Sequence, residues 1–167
     1  RVKDGDDVIE RVLETPRGPI VGPAMDGQPG AISMCSTWLR STEVRSVFGA
    51  HRWRSFDDFR RDLEQHSQLP LNFVYADETG DIGWILAGHI PQRVGSGGIP
   101  LLGNDPDNHW RGEPRVSDER LIDRNPAAGY VATANSRPIS GCESAGLGVD
   151  WAESYRQARI LEQLAER

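Results

Sequence analysis

The chain has 167 residues, which is enough for one domain or a large piece of one. Its formal net charge of −6 argues against a protein that binds nucleic-acid phosphates. No apolar run approaches the ~18–20 residues that a membrane span needs. With 18 glycines and 11 prolines, turns must be frequent, so a bundle of long helices is not expected.

The first forty residues show short strand patterns. Residues 8–13 and 19–21 are predicted to be strands on either side of a Pro16-Arg-Gly-Pro19 turn. Residues 31–38 are predicted to form a third strand that ends at Trp38.

Three later stretches have helical spacing. After Thr42, apolar residues recur three or four apart, namely Val44, Val47 and Phe48. Ser55 with Asp58 matches a capping box and predicts the start of a clear helix. A last helix is expected to begin near Asp150, again with an acid (Glu153) three residues on.

The strongest hairpin signal of the chain lies in the middle. Residues 71–76 and 82–87 are β-branched and aromatic, and Asp77-Glu-Thr-Gly80 separates them as a turn. Residues 88–129 form a long irregular excursion rich in glycine and proline, and 130–134 is predicted to be one more strand. We therefore expect an α+β fold with an antiparallel sheet and packed helices, in residues 1–167 as a single domain or a fragment of one.

Most isolated signals for chemistry have a simpler explanation. Cys35 and Cys142 could be bonded or separate, and the spacing of the four histidines does not match a zinc site. Asp105-Pro-Asp107 lacks the glycine and closing glutamate of a calcium loop and predicts a solvated turn. Gly95-Ser-Gly-Gly98 is not followed by the lysine of a phosphate-binding loop, so it too predicts a turn.

Asn135 is the more promising candidate. It follows directly on the predicted strand 130–134, and Pro138 comes three residues later. A carboxamide held at a sheet edge can donate a hydrogen bond to a developing oxyanion. An asparagine that caps a turn is the alternative from the residues alone.

Six ordered motifs across nearly the whole chain resemble the penicillin acylase (penicillin amidase) family of N-terminal nucleophile hydrolases. The motifs are Pro16-Arg-Gly-Pro19, Arg54-Ser-Phe-Asp-Asp-Phe59, Asn72-Phe-Val-Tyr-Ala-Asp77 with Gly80-Asp-Ile-Gly83, Ala87-Gly88 with Ile90-Pro91, Gly129-Tyr-Val-Ala-Thr-Ala-Asn135 with Arg137-Pro138, and Leu147-Gly-Val-Asp-Trp151 with Tyr155-Arg156.

The resemblance implies a piece of the four-layer αββα fold and an amidase that cleaves linear amides. In this family the acyl group passes to a serine that precursor self-cleavage exposes at the N-terminus of the large chain, and the α-amine of that serine is the base. Arg1 cannot be this nucleophile, so we expect an interior fragment of the large subunit that is inactive alone. The expected partners are the remainder of the precursor and an acylated small molecule, in the periplasm or outside the cell.

The resemblance also implies roles for particular residues. Asn135 would be the side-chain oxyanion donor and Arg156 would steady the neighbourhood of the serine amine. Family members often bind calcium, and Gly97 and Glu143 sit near the places of two ligands. The family has a second asparagine where this chain has Ser136, so the role of that position is in question.

A second hypothesis comes from the aromatic residues. A non-enzymatic, β-rich module could stack a sugar or an acyl chain on its tryptophans, of which Trp84, Trp110 and Trp151 are the candidates.

Overall fold

A computed structural model describes residues 3–24, 26–67, 69–114, 118–139 and 146–166. The chain divides into two compact units, one up to Arg40 and one from Ser41 onward. Neither helix of the described part of the chain has the length and hydropathy required to span a bilayer.

The first unit is a small three-stranded antiparallel sheet. Its strands are β1 (Glu14–Thr15), β2 (Gly18–Pro23) and β3 (Ala31–Ser33), in that order. The predicted turn and β2 are confirmed. The predicted strand at 8–13 is wrong: the ladder begins only at Glu14, and Ile9 is 95% exposed, so the apolar pattern upstream is not buried.

The third predicted strand is shorter than expected. β3 ends at Ser33, and Thr37–Leu39 form a 3₁₀ turn in which the Ser36 hydroxyl accepts a hydrogen bond from the Trp38 amide. A serine that caps a turn in this way offers the backbone an alternative to the sheet, which explains why the strand stops.

The second unit contains helix α1 (Phe56–Leu63), which begins where the sequence predicts. The Ser55 hydroxyl accepts a hydrogen bond from the Asp58 amide at 3.2 Å. In a capping box the acid three residues on accepts a hydrogen bond from the amide of the capping residue itself. Here the Asp58 carboxylate accepts from the Arg54 amide, one residue before Ser55. This carboxylate has a lowered pKa, chiefly because of that backbone hydrogen bond.

The hairpin is confirmed residue by residue. β4 (Leu71–Ala76) pairs with β5 (Ile82–Ala87), and the register places Phe73 opposite Ile85 and Val74 opposite Trp84. Strand side chains alternate between faces, so one face carries Phe73 and Ile85 towards α1 and the other carries Val74, which is 53% exposed.

The core between α1 and this sheet is aromatic. Phe56 and Phe59 from the helix pack with Tyr75, and ring centroids lie 5.1–5.6 Å apart. Gly83 sits opposite Tyr75, and any side chain there would overlap the Phe56 ring, so the glycine makes the room that the helix occupies.

The third strand of this sheet is not the one predicted. β6 (Ile122–Arg124) pairs with β5 inside the excursion 88–129, whereas 130–134 is irregular and outside the sheet. The edge of β5 is taken by β6, and the Ala132 carbonyl accepts instead from the Gln157 side chain. The predicted strand at 130–134 is therefore wrong.

Two helix predictions also need correction. Residues 42–48 form no helix, because Val47 has a φ of 65°, outside the right-handed helical region, and Phe48 is 74% exposed. The last helix, α2 (Tyr155–Ala165), begins five residues later than Asp150. The Ala152 amide donates to the Asn135 carbonyl, and this bond holds the residues just before Tyr155 out of the helix.

Candidate functional site

Asn135 ends the irregular segment of residues 130–135, which lies outside the sheet. It follows Ala134, which is 7% exposed, and its own side chain is exposed. Its φ is 62°, a left-handed conformation that asparagine tolerates better than most residues. Its carbonyl accepts from the Ala152 amide at 3.2 Å, so the main chain carrying the carboxamide is fixed by a bond to the segment before α2.

Arg156 reaches the same carboxamide from the first turn of α2. Its Nη2 donates to Asn135 Oδ1 at 3.2 Å, although the two residues lie 21 positions apart. The structure thus brings together the two residues that the resemblance singled out.

This contact determines what the asparagine can do chemically. An amide side chain has one acceptor oxygen and one nitrogen with two N–H donors. Because Oδ1 faces a guanidinium that can only donate, Nδ2 is directed away from Arg156. The charge also polarises the amide and strengthens its donors. The arrangement is suited to holding a negatively charged oxygen.

Gln157, which the sequence did not single out, contacts the same segment. Its Nε2 donates to the Ala132 carbonyl at 3.0 Å, and within the described residues its Oε1 is buried without a hydrogen-bond partner. The one feature of the sequence that could have indicated a role for Gln157 is its position beside Arg156 in the predicted helix.

A cavity of about 580 Å³ adjoins this segment and is walled mainly by apolar side chains. Its walls include Trp84, Ile122, Tyr130, Thr133, Gln157 and Leu161. Neither Trp110 nor Trp151 lines it, so the three tryptophans of the binding-module hypothesis do not share this cavity. Trp84 does line the cavity, and its Nε1 donates a hydrogen bond to Asn72 Oδ1 at 2.7 Å.

The expected calcium ligands are placed only in part. Gly97 is exposed with a φ of 80°, whereas Glu143 lies outside the described residues, as does Cys142. Over the described residues, no group of three or more histidine, cysteine or acidic side chains could hold a metal ion. Calcium therefore stays a prediction. Asp105 does form the predicted turn, accepting from the Asp107 amide at 3.0 Å.

The hairpin turn holds the groups whose pKa values shift most. Hydrogen bonds from the Thr79 hydroxyl and from Tyr75 lower the pKa of Asp77 to about 2. Burial, and then the hydrogen bond to Asp77, raise the pKa of Tyr75 to about 12. Such shifts can mark active sites. Here the partners are Tyr75 near the end of β4 and residues of the turn that follows it, so the shifts reflect the fixing of the hairpin.

A buried serine–histidine pair is a further feature that the sequence did not reveal. Ser46 Oγ lies 2.6 Å from His66 Nδ1, and His66 Nε2 lies 3.2 Å from the Leu69 carbonyl. Ser46 is 1% and His66 4% exposed. A substrate cannot reach a hydroxyl so deeply buried, so the pair ties the segment before α1 to the segment that follows that helix.

The structure resembles that of a thermostable penicillin G acylase from Alcaligenes faecalis, with a TM-score of 0.70 and 20% sequence identity. The match covers 100% of this chain and 30% of the other. This likeness confirms the fold class: the chain is an α+β piece of the N-terminal nucleophile hydrolase fold, with antiparallel sheets.

The sequence comparisons then define the family. The model of the penicillin amidase family matches residues 1–167, and the chain belongs to that family. The acyl-homoserine lactone acylase QuiP of Pseudomonas fluorescens Pf0-1 is 35% identical over 168 residues, which cover 96% of this chain and 20% of that protein. The penicillin acylase 2 proenzyme of Pseudomonas sp. SE83 is 29% identical over 171 residues, covering 98% and 21%. The chain thus spans about a fifth of the length of these relatives.

Proposed function

We propose that this chain is part of a penicillin-acylase-type amidase, in which Asn135 supplies the side-chain donor of the oxyanion hole. The substrate class is a linear acyl-amine, which the enzyme cleaves through an acyl-enzyme on an N-terminal serine. The observation that carries the proposal is the 3.2 Å hydrogen bond from Arg156 to Asn135 Oδ1, because it leaves Nδ2 directed elsewhere. Membership of the family supports the reaction class.

In the proposed reaction the serine hydroxyl attacks the amide carbonyl and its proton passes to the α-amine of the same residue. The carbonyl oxygen becomes an oxyanion, to which Asn135 Nδ2 donates. Collapse of this intermediate expels the amine, which takes up the proton, and leaves the acyl-serine ester. Water repeats the sequence on the ester and releases the acid. One such donor contributes roughly 3–4 kcal/mol to the transition state.

Arg156 has a positioning role in this scheme. It holds the carboxamide in the orientation that presents N–H groups. Its positive charge lowers the pKa of a nearby amine, which keeps that amine neutral and able to accept the serine proton. Both effects act on the groups that touch the substrate, so Arg156 need not contact the substrate itself.

The serine and most of the acyl pocket are proposed to come from other parts of the same protein, because the chain corresponds to about a fifth of its relatives. Of the two proposed calcium ligands, the Gly97 carbonyl alone lies in the described residues, and one oxygen does not make a calcium site. We place the intact protein in the periplasm or outside the cell, which fractionation tests.

The experiment compares the full-length protein with residues 1–167 alone on phenylacetyl and long-chain acyl p-nitroanilides. The full-length protein should release p-nitroaniline, and the isolated chain should match buffer. Asn135→Ala in the full-length protein should reduce kcat, whereas Asn104→Ala, at an exposed turn asparagine, should leave it unchanged. Turnover by the isolated chain that survives repurification would contradict an external serine. No activity from the mature full-length protein on any acyl amide would contradict the reaction class.

A further inference from the structure

The first turn of α2 contacts residues 130–135, the segment that ends in Asn135, at two points. Arg156 donates to the side chain of Asn135, and the adjacent Gln157 donates to the Ala132 carbonyl at 3.0 Å. Successive residues of a helix point about 100° apart, so the two side chains leave the helix in different directions. They contact the segment three residues apart, on its side chain and on its main chain.

The segment depends on these contacts because the sheet does not hold it. Residues 130–134 lie outside the ladder of β4, β5 and β6, so the position of the main chain rests on bonds such as that from Gln157. Gln157 is half-buried, and Ala134, next to the catalytic asparagine, is buried. Removing the amide would leave the part-buried Ala132 carbonyl without this donor, and the main chain could then move to find another.

We propose that Gln157 is a positioning residue for the oxyanion hole, acting through the main chain at Ala132 on the placement of Asn135 Nδ2. The inference rests on the proposed function and extends it to a residue that acts through the main chain of the site. An oxyanion donor must lie within hydrogen-bond distance of an oxygen whose place is fixed by the nucleophile, so a small shift of the segment weakens catalysis without changing the binding groups.

The variants are Gln157→Leu and Gln157→Glu in the full-length protein. Glutamate keeps the shape of the side chain but, when ionised, cannot donate to a carbonyl, and leucine removes the donor without adding a charge. The matched control is Gln163→Leu on the same helix, where the exposed amide bonds only to Glu166 among the contacts described. Each is assayed for kcat and KM on the acyl p-nitroanilide that the wild-type protein hydrolyses fastest.

Both Gln157 variants should lower kcat about tenfold, with KM within about twofold of the wild-type value, since the lost bond affects the transition state alone. On an Asn135→Ala background the same change should cost less than about twofold, because a donor that is absent cannot be misplaced. Gln163→Leu should match wild type. If Gln157→Leu misfolds, Gln157→Glu carries the test.

Two results would overturn the inference: wild-type kcat in Gln157→Glu, or a loss of equal size on the Asn135→Ala background, which would indicate general damage to folding. The failure of the proposed function looks different, since Asn135→Ala would then retain wild-type kcat. If Asn135→Ala loses activity and both Gln157 variants keep it, the function stands and this inference alone falls.

Discussion

Replacing Arg156 by alanine tests whether the orientation of the Asn135 carboxamide matters. Hydrogen bonds to charged groups contribute about 1.5–3 kcal/mol. The distance here is 3.2 Å, at the long end of the normal range, and both side chains are exposed, so the low end applies. A loss of about 1.4 kcal/mol from the transition state corresponds to a tenfold lower kcat/KM.

The assay is kcat and KM for the full-length protein, with melting curves and a gel that follows precursor cleavage. Arg159→Ala is the matched control: this arginine lies on the same helix and pairs with Glu162 at 3.1 Å. We expect Arg156→Ala to lose about tenfold in kcat/KM, with Arg159→Ala close to wild type and both melting normally. Equal activity of the two variants would refute the reasoning that the guanidinium orients the amide.

Three further predictions concern the framework of the full-length protein, measured as changes in thermal unfolding. Gly83→Ala should destabilise by about 1–3 kcal/mol because the new methyl group overlaps the Phe56 ring; Gly22→Ala, with open space at its Cβ, should be much milder, and equal effects would contradict the packing. Ser55→Ala should cost about 1 kcal/mol by removing the cap of α1, and an unchanged melting temperature would show that the cap contributes nothing. Asp77→Asn should be less stable than the wild-type protein at neutral pH. The pKa of Asp77 is lowered from 3.8 to about 2 in the folded state, so the extra stability of the wild-type protein is fully present above pH 3.8 and should disappear as the pH falls to about 2. A stability difference that persists at that pH would contradict this origin.

Local patterns predicted those elements whose stabilising contacts are themselves local. The hairpin of β4 and β5 has β-branched and aromatic strands joined through a turn at Asp77–Gly80, and the Ser55 cap lies three residues from its donor amide. Such signals need no knowledge of the rest of the chain.

The predictions from sequence were wrong or incomplete where residues far apart in the chain compete for the same hydrogen-bond partner or the same place in the sheet. Residues 130–134 have a strand composition, but β6 occupies the place beside β5 and Gln157 satisfies the Ala132 carbonyl. Ser46 and His66 lie 20 residues apart, and that separation matches no sequence pattern that predicts a contact. Neither outcome can be derived from a local pattern, since each depends on which partner arrives from elsewhere in the chain.

The candidate site shows the same division. A strand-end asparagine was a weak signal from the residues alone, and it was the family resemblance that linked Asn135 with Arg156. Their contact at 3.2 Å is a feature of the folded chain. Gln157 escaped notice because a glutamine on an amphipathic helix is ordinary until its partner carbonyl is known.

The central claim, that Asn135 donates to an oxyanion, is tested most directly by Asn135→Asp in the full-length protein. Aspartate keeps the size of the side chain and an oxygen for Arg156 to bind, but when ionised it has no N–H to donate. The account predicts a folded, processed enzyme whose kcat/KM is lower by roughly 10²–10³, similar to Asn135→Ala. A value within about threefold of wild type, well short of the loss typical for an oxyanion donor, would contradict the claim.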